Sequence, residues 1–217
     1  MARISRPRDS HSLRRTPGKK PPRSITLVVC EGETEQAYFE VARIQYGLST
    51  AEVVLADNTD GAAPISVVRC AEKKCAEPGS YDHVFCVFDR DGHESFERAR
   101  LLVKQLSSRK SKPLPIKDAI SVPCFELWVL LHFERTDSPF TRCDDVISRV
   151  KRHMPGYVKA DAATAKKLFE RVDTALANAE WLESRAATTQ FNPYSTVHHV
   201  LNHFKSVAKS SAQETKA

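Results

Sequence analysis

Apolar residues in this chain follow two alternating rhythms. The continuous run Ile25-Thr-Leu-Val-Val-Cys30 stops at Glu31 and Gly32. It gives way to a segment from Thr34 to Gly47 in which Ala37, Phe39, Val41, Ala42 and Ile44 fall on one helical face. Short apolar runs bounded by turn residues read as buried strands, and spacing near 3.6 reads as an amphipathic helix. The pair occurs three times. Glu-Val-Val-Leu-Ala at 52–56 leads, past a loop at 57–61, to a helix opened by Pro64, carrying Ile65, Val67, Val68 and Ala71 and closed at 78–80. His83-Val-Phe-Cys-Val-Phe88 leads to a helix from Glu94 to Ser108, and Pro113 and Pro115 precede a fourth strand from Ile116 to Val122. Strands alternating with helices require crossovers, hence a mostly parallel sheet.

Beyond Pro123 the texture becomes helical throughout: Cys124 to His132, strongly apolar, then Asp144 to Met154, Asp161 to Ser184 and Ser195 to Lys209. Asn192-Pro-Tyr-Ser195 reads as a loop, with Asn192 or Ser195 capping the last helix. The expected fold is α/β, a mostly parallel sheet flanked by helices with a C-terminal α-helical elaboration. The core occupies 24–134, the elaboration packs on it over 135–209, and 210–217 form a frayed end.

The length of 217 residues and a hydrophobic content of 41% suit one globular unit. No segment approaches the roughly 18 to 20 apolar residues of a membrane span, and the N-terminal residues lack the apolar block of a secretory signal. A cytoplasmic protein with no membrane partner is the expectation. The net charge of +6 is unevenly spread. Residues 1–23 hold eight Lys or Arg against Asp9 alone, so the remainder is close to neutral. With four prolines and no periodicity, that tail is expected to be disordered, and it either attracts phosphate or merely aids solubility. The six cysteines include no C-x-x-C pair and mostly read as core thiols, which suits a reducing compartment.

The chemistry that stands out is acidic. The first strand ends in Glu31, with Glu35 one helical turn beyond, and the third ends in Asp89-Arg90-Asp91-Gly92. Open α/β sheets bind ligands at the carboxyl ends of their strands, so carboxylates from two strand ends can converge there. Glu31, Asp89 and Asp91, with Glu35 as a further candidate, supply the oxygen donors a Mg²⁺ ion accepts, and Mn²⁺ has similar needs. A cation so held would polarise a phosphoryl oxygen. The competing reading is of solvated acids capping the following helices. A calcium loop is excluded, because His93 and Arg100 stand where later ligands belong. Glu126 either joins the catalytic group or simply occupies a helix's first turn. Tyr157 and Lys159 either bind substrate phosphate or pack as an aromatic ring and a solvated charge. His199 and His203 have ligand spacing on a helix but no acid or cysteine pattern nearby.

The series Cys-Glu31-Gly-Glu-Thr-Glu35 and Val-Phe88-Asp-Arg-Asp91 resembles the Toprim domain of topoisomerases, bacterial primases and overcoming-lysogenization-defect nucleases. Continuing through Val122-Pro-Cys-Phe-Glu126-Leu-Trp-Val-Leu-Leu-His132-Phe, Tyr157-Val-Lys159 and Asn192-Pro-Tyr-Ser-Thr196-Val-His, it resembles the RloB-like family of compact Toprim proteins associated with bacterial phage defence. The resemblance implies a Toprim-like core with a divalent-metal site at Glu31, Asp89 and Asp91. It also implies nuclease activity on DNA or RNA as a defence effector, and a partner ATPase, since the chain has no phosphate-binding G-x-x-x-x-G-K-[ST] loop of its own. The alternative is a catalytically inert scaffold that binds nucleic acid or docks an ATPase.

Overall fold

The computed structural model of the chain describes residues 24–56, 63–79 and 81–214. The expected basic tail, the loop at 57–61, Ser80 and the last three residues lie outside them. Five strands form one sheet in the order β2-β1-β3-β4-β5: β1 (Thr26–Cys30), β2 (Ala51–Leu55), β3 (His83–Asp89), β4 (Ile116–Val122) and β5 (Tyr194–Ser195). The first four run parallel, and β5 lies antiparallel on β4, with Ser195 opposite Ser121.

Both faces of the sheet are covered, which is why its strands read as unbroken apolar runs. Side chains alternate between the faces with the two-residue period of a strand. Val28 and Cys30 of β1, Phe85 and Val87 of β3 and Ala119 of β4 enter one core. Leu27 and Val29, then Val84, Cys86 and Phe88, then Ile116, Ile120 and Val122 enter the other. The second core is closed by α2 (Pro64–Ala76) and α3 (Phe96–Ser107), through Val67, Val68, Ala71, Ala99, Val103 and Leu106. The first is larger. It takes α1 (Glu33–Gln45), α4 (Glu126–Leu131), α5 (Cys143–His153), α6 (Ala162–Phe169), α7 (Val172–Ser184) and α9 (His198–Glu214), with the short α8 (Ala186–Thr189) following α7. Every residue of α4 is buried, Trp128 and Leu130 completely. Truncating Leu130 to Ala at such a position costs about 2 to 5 kcal/mol. The helices after Pro123 therefore share one core with the sheet.

Three local readings change. The segment expected as one helix from Asp161 to Ser184 is two, broken at Glu170 and Arg171, because α6 turns Ala165 and Leu168 toward α1 while α7 packs against α4 and α9. Ser195 does not open the last helix. It belongs to β5, the backbone of Thr196 bonds Ile120 of β4, the Thr196 hydroxyl accepts from the Ile120 N–H, and α9 starts at His198 and continues through Glu214. Nor does Asn192 cap it. Its amide accepts from the Phe140 N–H at 3.3 Å and donates to the Phe140 carbonyl at 3.0 Å, tying two loops together. Cys30 and Cys86 are buried core thiols as expected, but Cys124 and Cys143 form a disulfide.

Candidate metal and catalytic site

The parallel register brings the strand ends level. Cys30 lies beside Leu55 and Val87, and the Glu31 N–H extends the ladder by donating to the Val87 carbonyl at 3.0 Å. Glu31 thus leaves the sheet directly beside the end of β3. Its Oε2 accepts from the Asp89 N–H at 3.2 Å, and Asp89 Oδ2 in turn accepts from the Phe125 N–H, also at 3.2 Å, where α4 begins. Carboxyl groups of β1 and β3 are held in sequence by the backbone of the next element along the sheet. The chain then turns, with the Asp91 N–H bonded to the Pro123 carbonyl and Gly92 at φ 75°, a conformation that suits a residue without Cβ.

Gly32 lies close against the Glu35 side chain. Its backbone is extended (φ −128°, ψ 165°), but a Cβ there would stand 2.8 Å from Glu35 Oε2. The Glu35 carboxyl folds back over it, and a side chain at 32 would make that carboxyl shift. Glu31, Glu35, Asp89, Asp91, His93, Glu126 and Lys159 consequently line one cavity of about 220 Å³, together with Gly32, Thr34 and Phe125.

The electrostatics of this cavity are unbalanced. Burial, then the charges of Glu35 and Glu31, push Asp89 up to about 9 despite the Phe125 N–H. Burial, then Glu31 and Glu126, push Glu35 up to about 7, against its own backbone N–H and Lys159. Glu31 is raised by burial and by Asp91, opposed by the Asp89 N–H and by His93. Its Oε1 is buried with no hydrogen-bond donor, since the His93 ring nitrogen stands 3.4 Å away without hydrogen-bond geometry. Crowded, desolvated carboxylates keep their charge only if a cation joins them. The donor set, all carboxylate oxygen, fits a hard divalent ion. Its spacing is open: ligand atoms all within 4.8 Å of one another occur, among the described residues, at Cys124/Glu126/Cys143 and at Glu183/His198/His199, not at the strand-end acids. Magnesium retains several waters and needs only one or two protein carboxylates, so the open arrangement suits it better than a dehydrated ion.

Glu126, at the start of α4, is 3% exposed and receives Lys159 Nζ at 2.6 Å and the Tyr157 hydroxyl at 3.4 Å on one oxygen. Burial lowers the Lys159 pKa, but the hydrogen bond and charge of Glu126 outweigh it and leave it raised. The Cys143 sulfur lies 3.1 Å from the other Glu126 oxygen but, being disulfide-bonded, has no proton to donate.

The family model described as RloB-like protein matches residues 26–204, most of the chain. The chain belongs to the RloB-like protein family. No curated protein and no solved structure matches it. In this RloB-like chain, Glu31, Glu35, Asp89, Asp91, Glu126 and Lys159 share the cavity, whereas Tyr157 is 7% exposed and stands behind Glu126. His199 and His203 do not converge: His203 Nε2 bonds the Thr26 hydroxyl at 2.8 Å, and His199 pairs with Glu183. Two neighbours of the RloB-like site were not singled out from sequence. Arg90 could have been, since it stands between the two aspartates, but Arg142 arrives from the start of α5 with no local signal.

Proposed function

We propose that this protein is a divalent-metal-dependent phosphodiesterase acting on nucleic acid. The observation that carries the reading is the set of Glu31 and Asp89 at adjoining strand ends with Glu35 from the first turn of α1, all raised in pKa by burial and by neighbouring acids. A stable fold tolerates such crowding where a cation offsets it, and perturbed acids in a cavity mark functional sites. Glu31, Asp89 and Asp91 would hold the ion, with Glu35 beside them. A bound divalent cation would neutralise these groups and polarise a phosphoryl oxygen.

In the hydrolysis, the oxygen of a water forms the new bond to phosphorus as the bond to the departing sugar oxygen breaks. One water proton passes to a carboxylate, and a proton is delivered to the departing oxygen. Glu35, beside the three ligands in the same cavity, can accept the first. Lys159 neutralises Glu126 and faces the cavity, where it can also meet a phosphate.

The family resemblance favours a role as effector in bacterial phage defence, with activity controlled by a partner ATPase. A second reading, an inert nucleic-acid-binding or ATPase-docking protein, draws on the open spacing of the acids. One experiment separates the two. Purified protein, with and without a neighbouring ATPase, is incubated with DNA and total RNA in Mg²⁺, Mn²⁺ or EDTA. Cleavage that needs the metal and disappears in Glu31→Gln and Asp89→Asn supports the phosphodiesterase. Binding without cleavage under every condition supports the scaffold.

A further inference from the structure

A second, larger cavity adjoins the acidic one. Its volume is about 850 Å³, and it shares Asp91 and Lys159 with the carboxylate cavity. Arg90, from the turn after β3, and Arg142, from the residue preceding α5, line it, both exposed. No carboxylate pairs with either guanidinium among the described residues, whereas Arg43, Arg109, Arg149 and Arg185 are all engaged by acids. Two free planar forks beside a candidate phosphodiester-cleaving site are suited to bidentate contact with phosphate.

The walls are fixed in advance. Asn192 holds Phe140 by two hydrogen bonds, and the Cys124–Cys143 disulfide pins the start of α5 to the turn that carries Phe125 and Glu126. The lining also includes Pro123, Pro139 and Ile147, apolar surface on which the faces of bases can rest. The groove is open to solvent, and its volume accommodates roughly two nucleotides of unpaired strand. The carboxyl groups beyond are deep, with Glu31 at 6% and Glu35 at 5% exposed, so a phosphate must descend to reach them.

We propose that the groove between Arg90 and Arg142 is the binding channel for a single-stranded polynucleotide, RNA or DNA, feeding one phosphate past Lys159 into the carboxylate cavity. The assignment rests on the phosphodiesterase reading for its direction, but not for its occupant. Arg90 and Arg142 touch the flanking phosphates, and the reacting phosphate lies between Asp91 and Lys159.

The test uses the full chain and fluorescein-labelled 12-mers: single-stranded RNA, single-stranded DNA and a duplex of the same sequence. Anisotropy is read in Mg²⁺ over a range of salt concentrations. Single strands are expected to bind at least tenfold more tightly than duplex. Arg90→Ala/Arg142→Ala should lose about tenfold or more and lower the salt slope by about 1.4, for two phosphates at roughly 0.7 each. The lysine double variant should recover part of the loss, and thermal melts should match wild type because both side chains are exposed. Equal affinity for duplex, or an unchanged salt slope in the alanine variant, overturns the channel. The two proposals fail separately: arginine-dependent binding of single strands without cleavage keeps the channel and removes the phosphodiesterase, and cleavage that is indifferent to both arginines does the reverse.

Discussion

Lys159 Nζ lies 2.6 Å from Glu126 Oε1, a half-exposed lysine covering a carboxyl group that is otherwise sealed from water. The pair joins the start of α4 to the loop after α5, two elements separated by more than thirty residues of chain. Removing the lysine leaves a buried acid with only the Tyr157 hydroxyl for company. Lys159→Met should cost about 1 to 2 kcal/mol, less than a fully buried pair because the lysine is half in solvent. Glu126→Gln/Lys159→Met should lose less than the sum of the single changes. Urea denaturation of the four proteins measures the coupling, and additivity within about 0.5 kcal/mol would show that the pair acts as two independent groups.

Asp89→Asn should stabilise the metal-free protein while weakening its hold on divalent ions. The folded state raises the Asp89 pKa to about 9, so it binds that proton more tightly than the unfolded chain does. Its contribution is therefore complete below pH about 4 and is lost as pH rises through 9. In EDTA, wild type should lose more than about 1 kcal/mol between pH 5 and pH 8, and the asparagine variant should lose less. Added Mg²⁺ should raise the melting temperature of wild type more than that of the variant. A variant that is less stable in EDTA and equally stabilised by Mg²⁺ would contradict the crowded-carboxylate account.

Much of this was legible because apolar runs and helical faces differ in period. β1, β3 and β4 read as buried strands since both faces of each enter a core, and that same regularity fixed which residues emerge at the strand ends. Glu31, Asp89 and Asp91 could be placed at one edge for this reason. The two residues of β5 are too few to show a period, so Tyr194 and Ser195 passed as loop. The break between α6 and α7 answers to tertiary neighbours, since both segments have good helical composition. The return of the Glu35 carboxyl over Gly32 is a contact that spacing does not reveal. Arg142 and the partner of Cys124 come from the start of α5, and no local pattern there points back to the site.

The Cys124–Cys143 disulfide encloses Glu126 and all of α4 in a loop of 19 residues. Closing a loop of that length stabilises by about 3 kcal/mol through the unfolded chain, so reduction should lower the melting temperature measurably. The contacts of α4 itself should survive, because they rest on buried side chains such as Trp128, Leu130 and Leu131. Differential scanning calorimetry with and without dithiothreitol, together with a count of titratable thiols, checks this. Titrated in denaturant, four free thiols are expected without reductant and six after reduction, from the described cysteines. An unchanged melting temperature on full reduction would show that the bond adds nothing to stability.

His132 sets a low-pH limit on the fold. Its Nδ1 lies 2.9 Å from the Trp128 carbonyl, which can only accept, so the proton sits on Nδ1. Nε2 is then bare and accepts from the Tyr38 hydroxyl at 2.9 Å. The ring is wholly buried, and desolvation pulls its pKa from 6.5 down to about 4, with the carbonyl of Trp128 opposing. The unfolded chain thus binds a proton that the folded one refuses. Stability from this group is full above pH about 6.5 and is lost as pH falls toward 4, amounting to about 2 to 3 kcal/mol by pH 4.5. Glutamine at 132 offers an acceptor and a donor but cannot be protonated. His132→Gln should therefore be less stable than wild type at pH 7.5 through imperfect packing, with the gap narrowing or reversing by pH 4.5. The raised carboxyls of the metal cavity shift both proteins alike and cancel from the comparison. Urea unfolding of the two proteins at several pH values reads the difference directly, and parallel curves from pH 7.5 to 4.5 would show that His132 does not govern the acid limit.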